Sequence, residues 1–231
     1  MKDKISVFWF RRDLRLSDNH GLFKALETSE NVLPIFIFDS DILSKLENKE
    51  DKRVDFIMQT LQTLNEYLEK SGKAIQIFYG KPLNVFKDLI KNYKIENVIC
   101  NEDYEPSAIQ RDLEIAEFLN ENGIDFLTFK DQVHFHKDDI LKADVTPYTI
   151  YTPYSKKWLL QYNDGEREFY PSEKLLHHFI DVEKQDLSLE KIGFIKTNFH
   201  FEIPKINREI IKSYHETRNF PTTRTSEMSA H

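Results

Sequence analysis

Apolar residues open the chain in a nearly unbroken run, Ile5, Val7, Phe8, Trp9 and Phe10, which stops at Arg11, Arg12, Asp13 and Arg15. A short run this rich in aromatic and β-branched residues predicts a strand covered on both faces. Ser17, Asp18 and Asn19 follow, side chains that accept hydrogen bonds from free amides, and predict the start of a helix carrying Leu22, Ala25 and Leu26. Residues 31–38 (NVLPIFIF) predict a second buried strand, in which Pro34 points to an edge position or a bulge because proline cannot donate to a ladder. Over residues 51–71 the apolar positions Val54, Ile57, Met58, Leu61, Leu64 and Leu68 recur at three and four, predicting a helix that Gly72 ends.

The alternation continues. Residues 74–79 predict a third strand, then Gly80 and Pro82 lead into a helix with Val85, Phe86, Leu89, Ile90 and Tyr93 on its buried side. A fourth strand covers residues 97–100, with an acidic turn, NEDYE, at its carboxyl end. Ile109, Leu113, Ala116 and Leu119 mark another helix, closed by Asn122 and Gly123, and residues 124–129 a fifth strand. Strands alternating with helices at this spacing imply an α/β fold: one parallel sheet of five strands, right-handed crossovers and helices on both faces.

Beyond Lys130 the rhythm breaks. Residues 147–158 (PYTIYTPYSKKW) read as an aromatic-packed loop pinning the strand layer. Residues 163–204 are charged and aperiodic and read as a long surface linker, of a length that usually connects domains or serves function. Ile206, Ile210 and Ile211 suggest a short helix before a polar tail, and residues 163–231 are expected to be mobile.

Composition narrows the classes. The chain has 231 residues, 40% hydrophobic and 31% charged, the make-up of a soluble globular protein with a full core. No apolar run approaches the roughly 18 to 20 residues of a membrane span, and the opening run meets charge too soon for a signal peptide, so the expected location is cytoplasmic. Cys100 is the only cysteine, which rules out an intrachain disulfide. A net charge of -7 argues against a surface devoted to duplex DNA, whose nonspecific affinity comes from cationic contacts with phosphate. Glycine is scarce and no glycine-rich phosphate loop is present, which excludes ordinary NAD and P-loop chemistry. His134, His136, His177 and His178 lack the spacing of a metal frame, and no metal site is assigned.

The chemistry gathers where the first strand ends, since open α/β sheets bind ligands at the carboxyl ends of their strands. The wording there, FWFRRDLRLSDNHGL, resembles the opening signature of the photolyase/cryptochrome family. Tyr148, Tyr151, Thr152, Pro153, Tyr154 and Trp158 match the segment that follows the α/β domain in that family. A third match is Tyr214, Arg218, Phe220 and Pro221 followed by Thr225, Ser226, Glu227, Met228 and Ser229, with Met228 where the family usually has leucine.

The resemblance implies a Rossmann-like antenna domain at residues 1–132, an aromatic segment and interdomain linker at 133–204, and the first part of an all-α FAD-binding domain at 205–231. Tyr214 and Thr225, Ser226, Glu227, Met228 and Ser229 would contact FAD, hydroxyls and amides meeting phosphate at a helix start. Arg218 would approach a DNA phosphate. The intact parent would be a class I cyclobutane pyrimidine dimer photolyase, a monomer that passes an electron from reduced FAD to a dimer flipped out of UV-damaged DNA. No catalytic residue is assigned within the chain, which alone is expected to be inactive and not to bind DNA. A cryptochrome photoreceptor and a free-standing chromophore-binding module are the alternatives.

Members of the family carry a second chromophore either on the rim of the sheet, as methenyltetrahydrofolate, or in the carboxyl-end cleft, as deazaflavin or FMN. Ser107 and Ala108 replace the Asn-Glu pair common in folate-type members. Phe10, Arg11, Asp13, Phe38, Arg53, Asp103 and Glu105 resemble the deazaflavin pocket, aromatics for a tricyclic ring and polar groups for its edges, so deazaflavin or FMN is favoured.

Overall fold

The computed structural model describes residues 4–165, 168–185, 187–200 and 207–220. Five strands, β1 (Lys4–Phe10), β2 (Val32–Asp39), β3 (Gln76–Gly80), β4 (Lys94–Asn101) and β5 (Asp125–Phe129), form one sheet in the order β3-β2-β1-β4-β5. Every pairing is parallel. The connecting helices are α1 (His20–Thr28), α2 (Ser40–Leu43), α3 (Lys52–Leu68), α4 (Pro82–Asn92) and α5 (Pro106–Glu121). These form the α/β architecture that the alternating pattern predicts.

Two apolar layers explain why β1 is apolar at almost every position. Phe8 and Phe10 enter a core with Leu22 and Leu26 of α1 and Met58 and Leu61 of α3, while Val7 and Trp9 enter a second core with Phe86 and Leu89 of α4 and Ile115 and Leu119 of α5. Strand side chains alternate between faces, so a strand covered twice has no polar face to show. Asn19 caps α1 by accepting from Leu22 N at 3.1 Å. Gly72, at φ 73, takes the left-handed conformation that ends the turn after α3.

Pro34 lies in an interior strand, between β3 and β1, and not at an edge as expected. Its surroundings supply the reason. Val32 O accepts from Ile180 N at 2.9 Å, on the side of β2 that faces β3. Pro34, two residues on, turns its donor-less nitrogen to the same side, ahead of the first β2–β3 pair, Ile35 with Gln76. The bridge to Phe179 stops at Val32 and the β2–β3 ladder begins beyond the proline.

Two stretches read as irregular are built differently. Residues Tyr151–Asp164 form a helix, α6, and Pro153 is tolerated because it sits in the first turn, where amides have no helical partner. Trp158 stacks on Tyr162 at 5.0 Å, and His134 packs against both. The described part of the stretch read as a linker packs on the core as a strap. From Tyr170 to Ile195 it passes through 3-10 turns at Ser172–Lys174, Leu176–His178 and Glu190–Ile192 and buries Phe179, Leu189, Ile192 and Phe194 in the core beneath α1 and α3. Gln76 Nε2 donates to Glu183 O at 2.8 Å and Ile195 N to Lys49 O at 2.8 Å, tying the strap to β3 and to the turn before α3. These contacts are buried packing within a stretch whose expected mobility hydrogen exchange would measure.

The chain divides into two compact units, Met1–Lys196 and Thr197–His231. In the second, Asn207 caps a helix α7 (Arg208–Thr217) by accepting from Glu209 N and Ile210 N. Among the described residues no helix is long and apolar enough to cross a membrane.

The strap's share of the core is measurable. Phe179 is 1% exposed, and Phe179→Ala should destabilise the protein by about 3–5 kcal/mol in urea unfolding, the cost of a large aromatic cavity. A surface linker would lose almost nothing.

Candidate ligand cleft at the sheet switch point

β1 and β4 are neighbours whose helical connections run to opposite faces, so their carboxyl ends form the switch point at which open α/β sheets bind ligands. The Arg11 side chain, 6% exposed, crosses it. Its Nη1 donates to both carboxylate oxygens of Asp112 on α5, at 2.6 and 2.8 Å, and its Nη2 donates to Asn101 O at the end of β4. Burial works against the Arg11 charge, but neighbouring Cys100 and the carboxylates of Asp112 and Asp13 outweigh it and hold the guanidinium above its ordinary value.

Asp13 turns back under Arg11. It accepts from Arg11 N at 2.8 Å, from Asn19 Nδ2 at 3.3 Å and from Asn101 Nδ2. Asn101 Nδ2 also donates to Asn19 Oδ1 at 2.8 Å, and Gly21 N donates to Asn101 Oδ1 at 2.8 Å. Arg11, Asp13, Asn19 and Asn101 are all buried, and their mutual bonds hold the first βα loop against β4.

Arg12 points the other way, to the rim. Its Nη2 meets Glu105 Oε1 at 2.6 Å and its Nε meets Asp103 Oδ2 at 3.3 Å. The hydrogen bond with Glu105 raises the Arg12 guanidinium above its usual value. Arg15 pairs with Asp131 at 2.7 Å. Trp9 lies beneath this charge, with the guanidinium carbons of Arg11 and Arg111 5.1 and 5.0 Å from its ring centre. Cys100 is buried beside the network, which pushes its thiol up to about 12 and leaves it unreactive.

Arg11, Arg12, Asp13, Asp103 and Glu105 are thus brought together at the switch point. Phe10 and Phe38 are not open ring faces. Both are in the core, Phe10 edge-on to Phe8 at 4.7 Å and Phe38 edge-on to Phe36 at 5.0 Å. Arg53 stands exposed at the start of α3, paired with Asp51 at 2.5 Å. In the second unit Tyr214 and Arg218 are exposed on and just after α7, and Arg218 N donates to Tyr214 O at 2.9 Å. Thr225, Ser226, Glu227, Met228 and Ser229 lie outside the described residues. Among the described residues no group of three or more His, Cys, Asp or Glu could hold a metal ion.

Sequence reasoning read Asn19 only as a helix cap and Asn101 only as part of a turn, and missed Asp112 and Ser172; together the four complete the network. Asn101 at a strand end was a signal. Asp112 carried none, because a charge in a helix normally reads as solvated.

The cleft suits a ligand with polar edges. Arg12, Asp103 and Glu105 supply donors and acceptors at its rim, and the buried Arg11 Nε has no hydrogen-bond partner among the described residues. It does not offer Phe10 or Phe38 for stacking.

A parallel sheet with helices on both faces and a charged switch point defines an α/β domain. The chain belongs to the DNA photolyase family, whose model matches residues 6–173. It is 34% identical over 155 residues to a deoxyribodipyrimidine photo-lyase of Synechococcus sp., covering 67% of this chain and 32% of that protein. It is 33% identical over 158 residues to an uncharacterized 31.6 kDa protein of another Synechococcus strain, covering 68% of this chain and 55% of that one. Among solved structures it resembles a Synechocystis cryptochrome (TM-score 0.71, 19% identity, 95% of this chain and 50% of that one). It also resembles an archaeal photolyase from Sulfolobus tokodaii that holds two FAD molecules, implying a novel light-harvesting cofactor (TM-score 0.63, 26% identity, 91% of this chain and 46% of that one). The chain spans about a third of the length of the curated photo-lyases it matches.

Two outcomes follow. Asp112→Ala leaves Arg11 buried without its carboxylate and should cost about 3–5 kcal/mol of stability, read by chemical unfolding. The hydrogen bond from Arg53 holds the Asp51 carboxyl down to about 2, against 3.8 ordinarily. A lowered folded value means that the stabilisation is present above pH 4 or so and is lost as pH falls through about 2. A carboxyl-resolved NMR titration should place Asp51 near that value, and Arg53→Gln should return it toward the ordinary range.

Proposed function

We propose that this chain is the light-harvesting α/β domain of a deoxyribodipyrimidine photo-lyase, a cytoplasmic monomer that uses blue light to reverse cyclobutane pyrimidine dimers in DNA. The observation that carries the reading is the buried Arg11–Asp112 network with its charged rim at the β1–β4 switch point, in a chain whose family model covers it. Residues 1–132 form the antenna domain, 133–204 both cover its core and connect it, and 205–231 open the FAD-binding region.

The antenna chromophore, a deazaflavin or FMN in preference to methenyltetrahydrofolate, sits at the switch point and supplies absorption of near-ultraviolet and blue light. Arg12, Asp103 and Glu105 grip its polar edge, exchanging their mutual ion pairs for ligand contacts. Arg11 Nε offers an acceptor oxygen a buried donor, and Asp13 keeps Arg11 in place. Phe10 and Phe38 serve as the apolar floor under the loop, and Arg53 would have to leave its pair with Asp51 to contact the ligand. The archaeal relative with two FAD molecules supports a flavin-type antenna.

FAD itself supplies the electron for dimer splitting. Tyr214 and the run Thr225, Ser226, Glu227, Met228 and Ser229 bind its phosphates, and Arg218 meets a DNA phosphate. With a net charge of -7, contact with DNA is local and does not come from the average field.

A cryptochrome photoreceptor is the second reading, favoured by 30% identity over 128 residues to a Drosophila melanogaster cryptochrome. Light-dependent rescue of a photolyase-deficient host by the full-length gene is expected of the repair enzyme, and its absence sinks that reading. For the antenna, the chain should bind FMN or a 5-deazaflavin with quenching of Trp9 emission, and Arg12→Gln should weaken binding about tenfold, the worth of one charged hydrogen-bonding partner. Tighter binding of methenyltetrahydrofolate than of either flavin would overturn the cleft assignment.

A further inference from the structure

The loop that carries Arg11, Arg12 and Asp13 is not held by its own neighbours alone. Ser172, fully buried in the strap, donates from Oγ to Leu16 O at 2.8 Å and accepts from Asn19 N at 3.3 Å. One hydroxyl therefore satisfies a carbonyl in the loop and the amide of the residue that caps α1. Asn19 passes the constraint on, through its side chain, to Asp13 and Asn101, and Asn101 O receives Arg11 Nη2.

A second contact lies beside the first. Tyr170 N donates to Asp18 Oδ1 at 3.1 Å, and the Tyr170 ring stacks on His20 with centres 3.8 Å apart and planes 7° from parallel. Asp18 has φ 49, in the left-handed region that a residue with a Cβ rarely adopts, and persists there because its surroundings over-determine it. Arg15 adds a bond to Asp18 O at 2.6 Å. Both contacts come from a segment about 150 residues downstream, and both fall on the turn between the cleft arginines and α1.

We infer that Ser172 is a positioning residue for the cleft: its hydroxyl fixes the loop of residues 11–19 in the shape that presents Arg11 and Arg12 to a ligand. In its consequence for affinity this rests on the cleft reading above; in its consequence for the loop it does not. Coupling is reciprocal, so a ligand in the cleft strengthens the strap's hold by the same factor as the strap strengthens the ligand's.

The test uses the full chain. Ser172→Ala should raise hydrogen exchange at the amides of Arg11 and Asn19 about tenfold, with β4 amides unchanged, and should weaken FMN binding by a similar factor, the worth of one buried hydrogen bond. Leu119→Ala, destabilised from the other face of the sheet, should bind FMN as the wild type does. The isosteric pair Ser172→Thr and Ser172→Val repeats the comparison at fixed volume, and Thr should protect the loop where Val does not. Equal loop exchange in Ser172→Ala and wild type, equal behaviour of Thr and Val, or equal loss of binding in Ser172→Ala and Leu119→Ala overturns the inference. If the wild type binds no FMN, the cleft reading fails and the exchange data alone decide the role of Ser172.

Discussion

A buried guanidinium sets the terms for the carboxyl end of this sheet. Arg11 cannot be left unpaired in an apolar interior, so Asp112 must approach from α5 and Asn101 must end β4 with its carbonyl turned inward, while Asp13 folds back to take the Arg11 backbone amide and adds its charge nearby. Each partner fixes one element: the helix behind the sheet, the neighbouring strand, the first βα loop. The shape of the switch point is a by-product of satisfying one charge, and its walls are as firm as that charge is costly to release. A site whose ligand must be held at a defined orientation benefits from such walls, because the ordering is done before the ligand arrives.

The rim is of another kind. Arg12 is half exposed and pairs across solvent with Glu105, where an ion pair contributes little to stability, while Asp103 on its other side is largely buried. Side chains that lose little by parting are the ones that can re-pair with a ligand. A rigid inner wall and an exchangeable outer one divide shape from recognition between neighbouring arginines in the chain.

The sheet was legible because its residues report their own environment. Strands covered on both faces read as continuous apolar runs, and helices with one buried stripe show a period. The strap was not legible for the complementary reason: Phe179, Leu189, Ile192 and Phe194 are buried one by one from an irregular backbone, at spacings that match no period. Pro34 misled because proline's ladder cost depends on whether the neighbouring strand has begun, a tertiary fact. Phe10 and Phe38 looked like ligand platforms by analogy, yet alternation already put Phe10 on the same face as Phe8 and Phe38 on that of Phe36. Asp112 showed nothing, since only the fold reveals that a helical carboxylate faces inward.

The strap also carries an implication for how the protein is made. Phe179 through Phe194 complete the hydrophobic layer beneath α1 and α3, on strands finished by residue 129. A nascent chain that has emerged from the ribosome only as far as β5 can close the layer beside α4 and α5, but keeps the other side of its sheet partly bare. Translation must run some 65 residues further before that side is sealed, about 3 to 13 seconds at ordinary elongation rates, during which the half-dressed sheet is a natural client for a chaperone.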